Sequence, residues 1–308
     1  MSSFALPLKK MTRPVQQLVI VSGKGGTGKT TIAASFAALA ENNVTADCDV
    51  DAADLHIIFK PKIKTQGTFK GGKRAVLDPQ LCTGCYECVE YCRFDALSTG
   101  NSKENNAKVL IDQFACEGCG VCVHICPENA VSLKPEISGE WYVSSSRYGP
   151  LAHARLEVAA ENSGKLVSVV RFQARNKALN AQKKLIIIDG SPGIGCPVIA
   201  SLTNTSLVLI VTEPTKSALH DLKRIAGLAR HFSIPAAVCI NKYDINRQVT
   251  RSVERYCKKN QLRVVGKIPY SSIVTKAQMA RAAIVEYSGA QVALEIKKMW
   301  QTIEYLLE

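Results

Sequence analysis

Val19-Ile20-Val21-Ser22-Gly23-Lys24-Gly25-Gly26-Thr27-Gly28-Lys29-Thr30-Thr31 opens as an apolar run, breaks into glycines and restarts as an Ala-rich helical pattern. The frame from Gly23 to Thr30 fits G-x-x-x-x-G-K-[ST], with a short buried strand before it and a helix from Ile32 to Glu41 after it. Glycines let the backbone turn with its N–H groups inward, and the positive end of the next helix adds to them, so the stretch is a cradle for a polyphosphate. Lys29 is placed to reach the β- and γ-phosphates and the Thr30 hydroxyl to ligate Mg²⁺, with Gly25, Gly26, Thr27, Gly28 and Thr31 completing the loop. A glycine-rich turn that binds nothing is the competing reading; strand, loop, Lys-Thr and helix together argue against it.

Working outward, the 308 residues have room for one large α/β domain and a small insert. No run of about 18 apolar residues occurs, and Met1 to Pro14 reads as a basic, polar leader without an apolar core, which predicts a soluble, cytoplasmic protein without stable membrane anchoring. A formal charge of +13 suggests nucleic acid at first. Eight thiolates holding two oxidised iron–sulfur cubanes would lower it to roughly +9. The bases are spread along the chain, with one modest cluster at Lys60, Lys62, Lys64, Lys70, Lys73 and Arg74, read as a solvated face or a docking surface for an acidic protein rather than for nucleic acid.

Twelve cysteines in such a chain point to metal rather than to disulfides. Cys82-x-x-Cys85-x-x-Cys88-x-x-x-Cys92 is followed by Cys116-x-x-Cys119-x-x-Cys122-x-x-x-Cys126-Pro127, the run of a bacterial two-cluster ferredoxin written twice. In that arrangement the last cysteine of each run ligates the other cluster. Cys82, Cys85, Cys88 and Cys126 are therefore assigned to one [4Fe-4S] cluster, and Cys92, Cys116, Cys119 and Cys122 to the other. Gly84, Gly118 and Gly120 sit between ligands, where the chain must wrap closely. Two Cys₄ zinc sites compete with this reading, but zinc pairs are usually separated by longer gaps. Two departures stand out: Arg93 in place of the proline expected after the fourth cysteine, and the long polar loop from Thr99 to Lys108.

The insert begins with a β-hairpin expected over Gly67 to Pro79 around Gly71-Gly72, and ends near a strand over Gly139 to Ser146, where Trp141 and Tyr142 are expected to pack between domains. The expected divisions are 1–60 and 151–308 for a doubly wound, mainly parallel α/β sheet, and 61–150 for an α+β insert with its cluster-binding core at about 78–135. Leu166 to Leu179 has helical spacing. Lys184 to Asp189 is a fully apolar strand ending in the Walker B carboxylate Asp189, near Mg²⁺. Further strands are expected at Ser206–Thr212 and Ala236–Ile240, and Leu294 to Leu307 reads as a final core helix through Ile296, Trp300, Ile303 and Leu307. Cys48, Cys196, Cys239 and Cys257 are scattered; small buried residues account for most of them.

Lys24, a second lysine inside the loop, completes K-G-G-x-G-K-T, and with the D-x-D of Asp47 and Asp49 the chain resembles the deviant P-loop ATPases of the MinD, ParA and Mrp superfamily. The resemblance implies that Lys24 reaches the nucleotide of a partner subunit in an ATP-bound homodimer, that Asp49 orients the attacking water, and that Asp47 lies near Mg²⁺. It implies that Gly193, in Asp189-Gly190-Ser191-Pro192-Gly193, senses the γ-phosphate, and that Asn241 and Pro269 contact adenine. Asn241-Lys242-Tyr243-Asp244 also fits the guanine-reading Asn-Lys-x-Asp; Lys24 and the D-x-D favour ATP.

Catalytic roles are expected for Lys24, Lys29, Asp49 and Asp189. The expected function is slow, dimerisation-dependent ATP hydrolysis coupled to electron transfer or to docking on a redox or scaffold protein, in the cytoplasm of an anaerobic or low-redox organism. The alternatives are a MinD/ParA-like spatial-organisation ATPase with structural or redox-sensing clusters, and an ATPase of metal-cofactor assembly, which the lack of a further C-x-x-C disfavours.

Overall fold

The computed structural model describes residues 14–100, 108–157 and 163–308. Nearly all of the leader Met1 to Pro14 and most of the loop Thr99 to Lys108 lie outside them. In chain order the elements are β1 (Gln16–Ser22), α1 (Lys29–Leu39), β2 (Asn43–Asp47), α2 (Leu55–Phe59), β3 (Lys62–Leu77), α3 (Glu87–Glu90), β4 (Leu97–Thr99), β5 (Val109–Ile111), α4 (Val121–Ile125), β6 (Val131–Ser146) and β7 (Gly149–Leu156). After them come α5 (Ser163–Asn180), β8 (Leu185–Pro192), α6 (Cys196–Leu202), β9 (Leu207–Thr212), α7 (Lys216–His231), β10 (Ala236–Asn241), α8 (Arg247–Lys259), β11 (Arg263–Ile268), α9 (Ile273–Met279), α10 (Ile284–Tyr287) and α11 (Gln291–Leu307).

Nine strands form one sheet in the order β11-β10-β9-β1-β8-β2-β7-β6-β3. From β11 to β7 every pairing is parallel; β6 and β3 add antiparallel at one edge. The central strands are apolar on both faces because each face meets helices. Leu18 and Ile20 of β1 point into one core with α1 and α11, while Val19 and Val21 point into the other with α5 and α7. The same alternation runs through β8, β9 and β10. On α11, Ile296, Trp300 and Ile303 are buried, and Trp300 packs on Phe36 of α1 with ring centroids 4.9 Å apart. Among the described residues no helix is long and apolar enough to cross a membrane.

The hairpin expected over Gly67 to Pro79 is not formed. β3 runs through that stretch as one 16-residue strand and pairs with β6, from Lys62 opposite Ser145 to Leu77 opposite Val131. Gly71-Gly72 falls in a register irregularity rather than a turn. Pairing across so long a gap leaves no local turn signal. β3 and β6 therefore make an arm that belongs to the main sheet at its root; the expected division at 150/151 falls inside β7, while 60/61 falls in the short link between α2 and β3. Trp141 and Tyr142 lie along this arm: Trp141 covers Gly67, where a Cβ would meet the indole at 2.5 Å, and Tyr142 stacks on His153 at 5.0 Å.

Beyond the arm lies a small unit with its own core of Ala75, Cys88, Ala96, Leu97, Val109, Cys122 and Val131, and a two-stranded sheet of β4 and β5. Its backbone repeats at the spacing of the cysteine runs. Gly84 and Gly118 have φ of +79° and +63°, Tyr86 and Gly120 of +64° and +82°, and Asp95 and Asn129 both of +51°. Cys82 N–H donates to Asp78 O at 3.2 Å as Cys116 N–H does to Asp112 O at 3.1 Å, and Asp78 N–H reaches Ala130 O as Asp112 N–H reaches Ala96 O, both at 2.7 Å. The last pair crosses between the halves, which relates them by an approximate two-fold axis.

Candidate functional site

The glycine loop joins β1 to α1 at the carboxyl edge of the parallel strands, where open α/β sheets hold their ligands. Gly26 and Gly28 have φ of +78° and +93°, a region a side chain would strain. Lys29 is 5 % exposed; its Nζ is 2.7 Å from Asp189 Oδ1 and 3.3 Å from Asp49 Oδ2. Burial disfavours its charge, but the Asp189 and Asp49 carboxylates outweigh that and raise the ammonium to about 12. The Thr27 Oγ1 is buried without a partner, an orphaned polar atom on the loop that is to face phosphate.

Asp47 is fully buried and accepts from the backbone N–H groups of Leu55 at 3.2 Å and Asp49 at 3.3 Å, so it fixes the start of α2. Burial, then the Asp189 charge, push its carboxyl well above the usual carboxylate range. Asp49 is also raised, by burial in the first place. Asp47 and Asp189 stand behind Lys29, and Asp49 reaches the cleft itself. Gly193 has φ +92° and donates its N–H to Ser22 O at 2.8 Å, tying the segment after β8 to the end of β1. Ser191 and Pro192 border the cleft.

Asn241 braces the loop: its Nδ2 donates to Thr27 O at 2.7 Å and its Oδ1 accepts from Lys242 N–H at 3.0 Å, while Lys242 Nζ donates to Gly26 O at 3.0 Å. Pro269 borders the same cleft, which has a volume of about 590 Å³. The Lys24 side chain is 40 % exposed and pairs within its own chain with Glu213 at 2.7 Å, and Glu213 also meets Lys242 at 3.3 Å. Partial burial opposes charge on Glu213, but the two lysines outweigh it and hold its carboxyl below the usual range. Asp51 and Asp54, to which the motif reading gives no role, border the cleft, as do Tyr270 and Gln278. Gln278 Nε2 donates to Thr31 Oγ1 at 3.2 Å. Nothing local marks Tyr270 or Gln278; only the fold brings them to residue 31.

A second site lies in the small unit. Cys92 from the first run and Cys116, Cys119 and Cys122 from the second border one narrow recess of about 20 Å³. Burial raises the Cys88 thiol, and the groups that push it further are Cys85, Cys126 and Cys82. Cys122 is pushed up to about 11 by burial, then by Cys116, Cys119 and Cys88. Exposure follows the repeat, with Cys85 and Cys119 exposed and Cys88 and Cys122 buried. Ala75 N–H donates to Cys116 Sγ at 3.5 Å and Ala130 N–H to Cys126 Sγ at 3.3 Å. Among the described residues no three His, Cys, Asp or Glu side chains converge as a single ion would need; the thiols ring a space instead. Of the other cysteines, Cys48, Cys239 and Cys257 are buried and Cys196 is exposed at the start of α6.

Comparison with known proteins bears on the first of these sites. Residues 18–283 match the model of the CobQ/CobB/MinD/ParA nucleotide binding domain. Two uncharacterized proteins of Methanocaldococcus jannaschii are similar: MJ0578, 30 % identical over 94 % of this chain and 97 % of its own, and MJ0579, 28 % identical over 78 % and 89 %. Among solved structures, the septum site-determining protein MinD complexed with Mg-ADP from Pyrococcus horikoshii aligns over 94 % of this chain and 96 % of its own, with a TM-score of 0.58 and 16 % identity, a likeness of fold. The family match spans the glycine loop, the D-x-D segment and Asp189, and the chain therefore belongs to the MinD/ParA family of P-loop ATPases.

Proposed function

We propose that this ATPase is a nucleotide-dependent dimeric switch whose small unit binds two [4Fe-4S] clusters, and that the switch governs what the small unit docks on. ATP would lie along the glycine loop, its phosphates on the N–H groups of residues 25–31 and on Lys29, its base toward Pro269 and Tyr270. Thr30 would hold Mg²⁺, with Asp189 behind it. Mg²⁺ there would neutralise charge on the phosphates, and the Asp189 and Asp49 carboxylates already hold the Lys29 ammonium. Asp49, the one of the three that borders the cleft, would orient the attacking water. Lys24 would leave Glu213 and turn toward the partner's nucleotide when two copies close.

What supports the cluster reading is that Cys92 borders one recess with Cys116, Cys119 and Cys122, and that Cys126 is among the groups, with Cys85 and Cys82, that act on the Cys88 thiol. Four thiols around an apolar recess, with the Ala75 N–H donating to one of them, Cys116, are the kind of donor set such a cluster uses. When bound, the clusters supply one-electron redox chemistry; the chain contributes their spacing and shielding.

Family membership supports a second reading more directly than it supports electron transfer. In it the ATPase organises or recruits a partner, as MinD- and ParA-like proteins do, and the clusters are structural or sense redox state. Anaerobic purification with iron counting and an ATPase assay tests the common ground: about eight irons per chain and MgATP hydrolysis are expected, and zinc or an iron-free active protein would remove the cluster half. Nucleotide-dependent electron transfer then favours the first reading, and ATP-dependent assembly at constant cluster signal the second.

A further inference from the structure

Tyr148 occupies the turn between β6 and β7, at the root of the arm that carries the small unit. It is 6 % exposed and meets Phe59, the last residue of α2, edge-on with ring centroids 5.0 Å apart. Its hydroxyl accepts from the backbone N–H of Ala283 at 3.2 Å and donates to the Glu286 carboxylate on α10. Arg147 donates to the Tyr148 hydroxyl and, at 3.2 Å, to Arg281 O, and pairs with Glu286 at 3.4 Å. Arg281 has φ +54°, a conformation that a residue with a side chain holds only where its surroundings fix it. Burial and the Glu286 hydrogen bond push the phenol up to about 12, which keeps it a neutral donor.

The segments that follow two borders of the nucleotide cleft meet at this residue: α2 comes after Asp51 and Asp54, and the α9–α10 turn after Thr275 and Gln278. α2 begins where Leu55 N–H meets Asp47, directly after Asp49, Asp51 and Asp54. The α9–α10 turn follows Gln278, which holds the Thr31 hydroxyl. In the opposite direction β6 runs unbroken from Ser146 to Val131, and Ala130, next in line, donates to Cys126 Sγ.

We propose that Tyr148 is a positioning residue of the ATPase site: through α2 and the α9–α10 turn it holds the two cleft walls in register with the β6 arm, so that closure on nucleotide moves the small unit. The hold on the cleft stands on these contacts alone, and the motion of a cluster-bearing unit rests on the function proposed above.

Tyr148→Phe keeps the ring on Phe59 and deletes only the hydroxyl. Arg147→Gln, at a half-exposed position, loosens the same turn without touching the core. The full chain, purified anaerobically, is assayed for ATP hydrolysis and, after reduction, by EPR with and without MgATP. Tyr148→Phe is expected to raise KM for ATP about fivefold, the size of one lost hydrogen bond, with kcat little changed, and to abolish the nucleotide-dependent change in the spectrum. Arg147→Gln is expected to move both in the same direction by less. An unchanged KM in both variants overturns the positioning role, and a raised KM with an intact nucleotide response overturns the coupling. A chain without clusters would defeat the proposed function alone, and KM would still decide the role of Tyr148.

Discussion

Lys29 sits where two demands meet: the cleft proposed for phosphate ahead of it, and the Asp189 and Asp49 carboxylates that hold its ammonium. Lys29→Ala should abolish ATP binding, measured by nucleotide titration. It should also lower the melting temperature, because it leaves two carboxylates facing each other without a cation. Lys24→Ala makes a different prediction. The Lys24 side chain is 40 % exposed and pairs with Glu213 rather than with the carboxylates that hold Lys29, so ATP binding should persist while kcat falls by about 10²-fold or more, the loss expected of a cationic finger; an unchanged kcat would remove its role. Gly118→Ala tests the small unit. Its φ is +63° and a Cβ would lie 1.9 Å from the backbone oxygen of Lys73, so the loop must move, and faster cleavage between β5 and α4 in limited proteolysis is expected. Lys29, Thr30 and the loop glycines were legible because the motif is local. The bracing of the loop by Asn241 was not, because its partner Thr27 is far away in the chain and only the parallel order of β1, β9 and β10 brings them together.

At the scale of elements, the apolar runs of β1, β8, β9 and β10 announced a buried parallel sheet, since strands covered on both faces carry no polar alternation. The arm was missed for the opposite reason. β3 is polar and Gly-containing, its partner lies beyond the whole cysteine region, and Gly71-Gly72 mimics a turn. The reading of the cysteine runs does not depend on that hairpin, because their repeat is self-contained. β7 offers a pH test. His153 accepts or donates at 3.0 Å to Ser144 Oγ and stacks on Tyr142; burial, then nearby His56, lower its imidazole from the ordinary 6.5 to about 4. A depressed value means that the neutral ring stabilises the fold: the contribution is complete above pH 6.5 and is lost as pH falls toward 4. Unfolding free energy should therefore decline more steeply over that window in the parent chain than in His153→Gln, measured by urea melts; parallel pH profiles would contradict the assignment.

At the scale of the molecule, a basic ATPase sheet carries a small unit whose few apolar residues surround thiols. So small a core holds little stability of its own, and metal binding is the usual supplement. The crossing of the two runs is testable there. Cys92→Ser should leave the same residual cluster spectrum as Cys122→Ser, and Cys126→Ser the same as Cys88→Ser; a match of Cys92→Ser with Cys88→Ser would mean that each run holds its own cluster. The link between the two sites is the account's central claim, and EPR of the anaerobically reduced full chain with and without MgATP tests it most directly. A reversible, ATP-dependent change in the cluster signal is the predicted result. Identical spectra in both conditions, from a protein that binds ATP and carries both clusters, would contradict it.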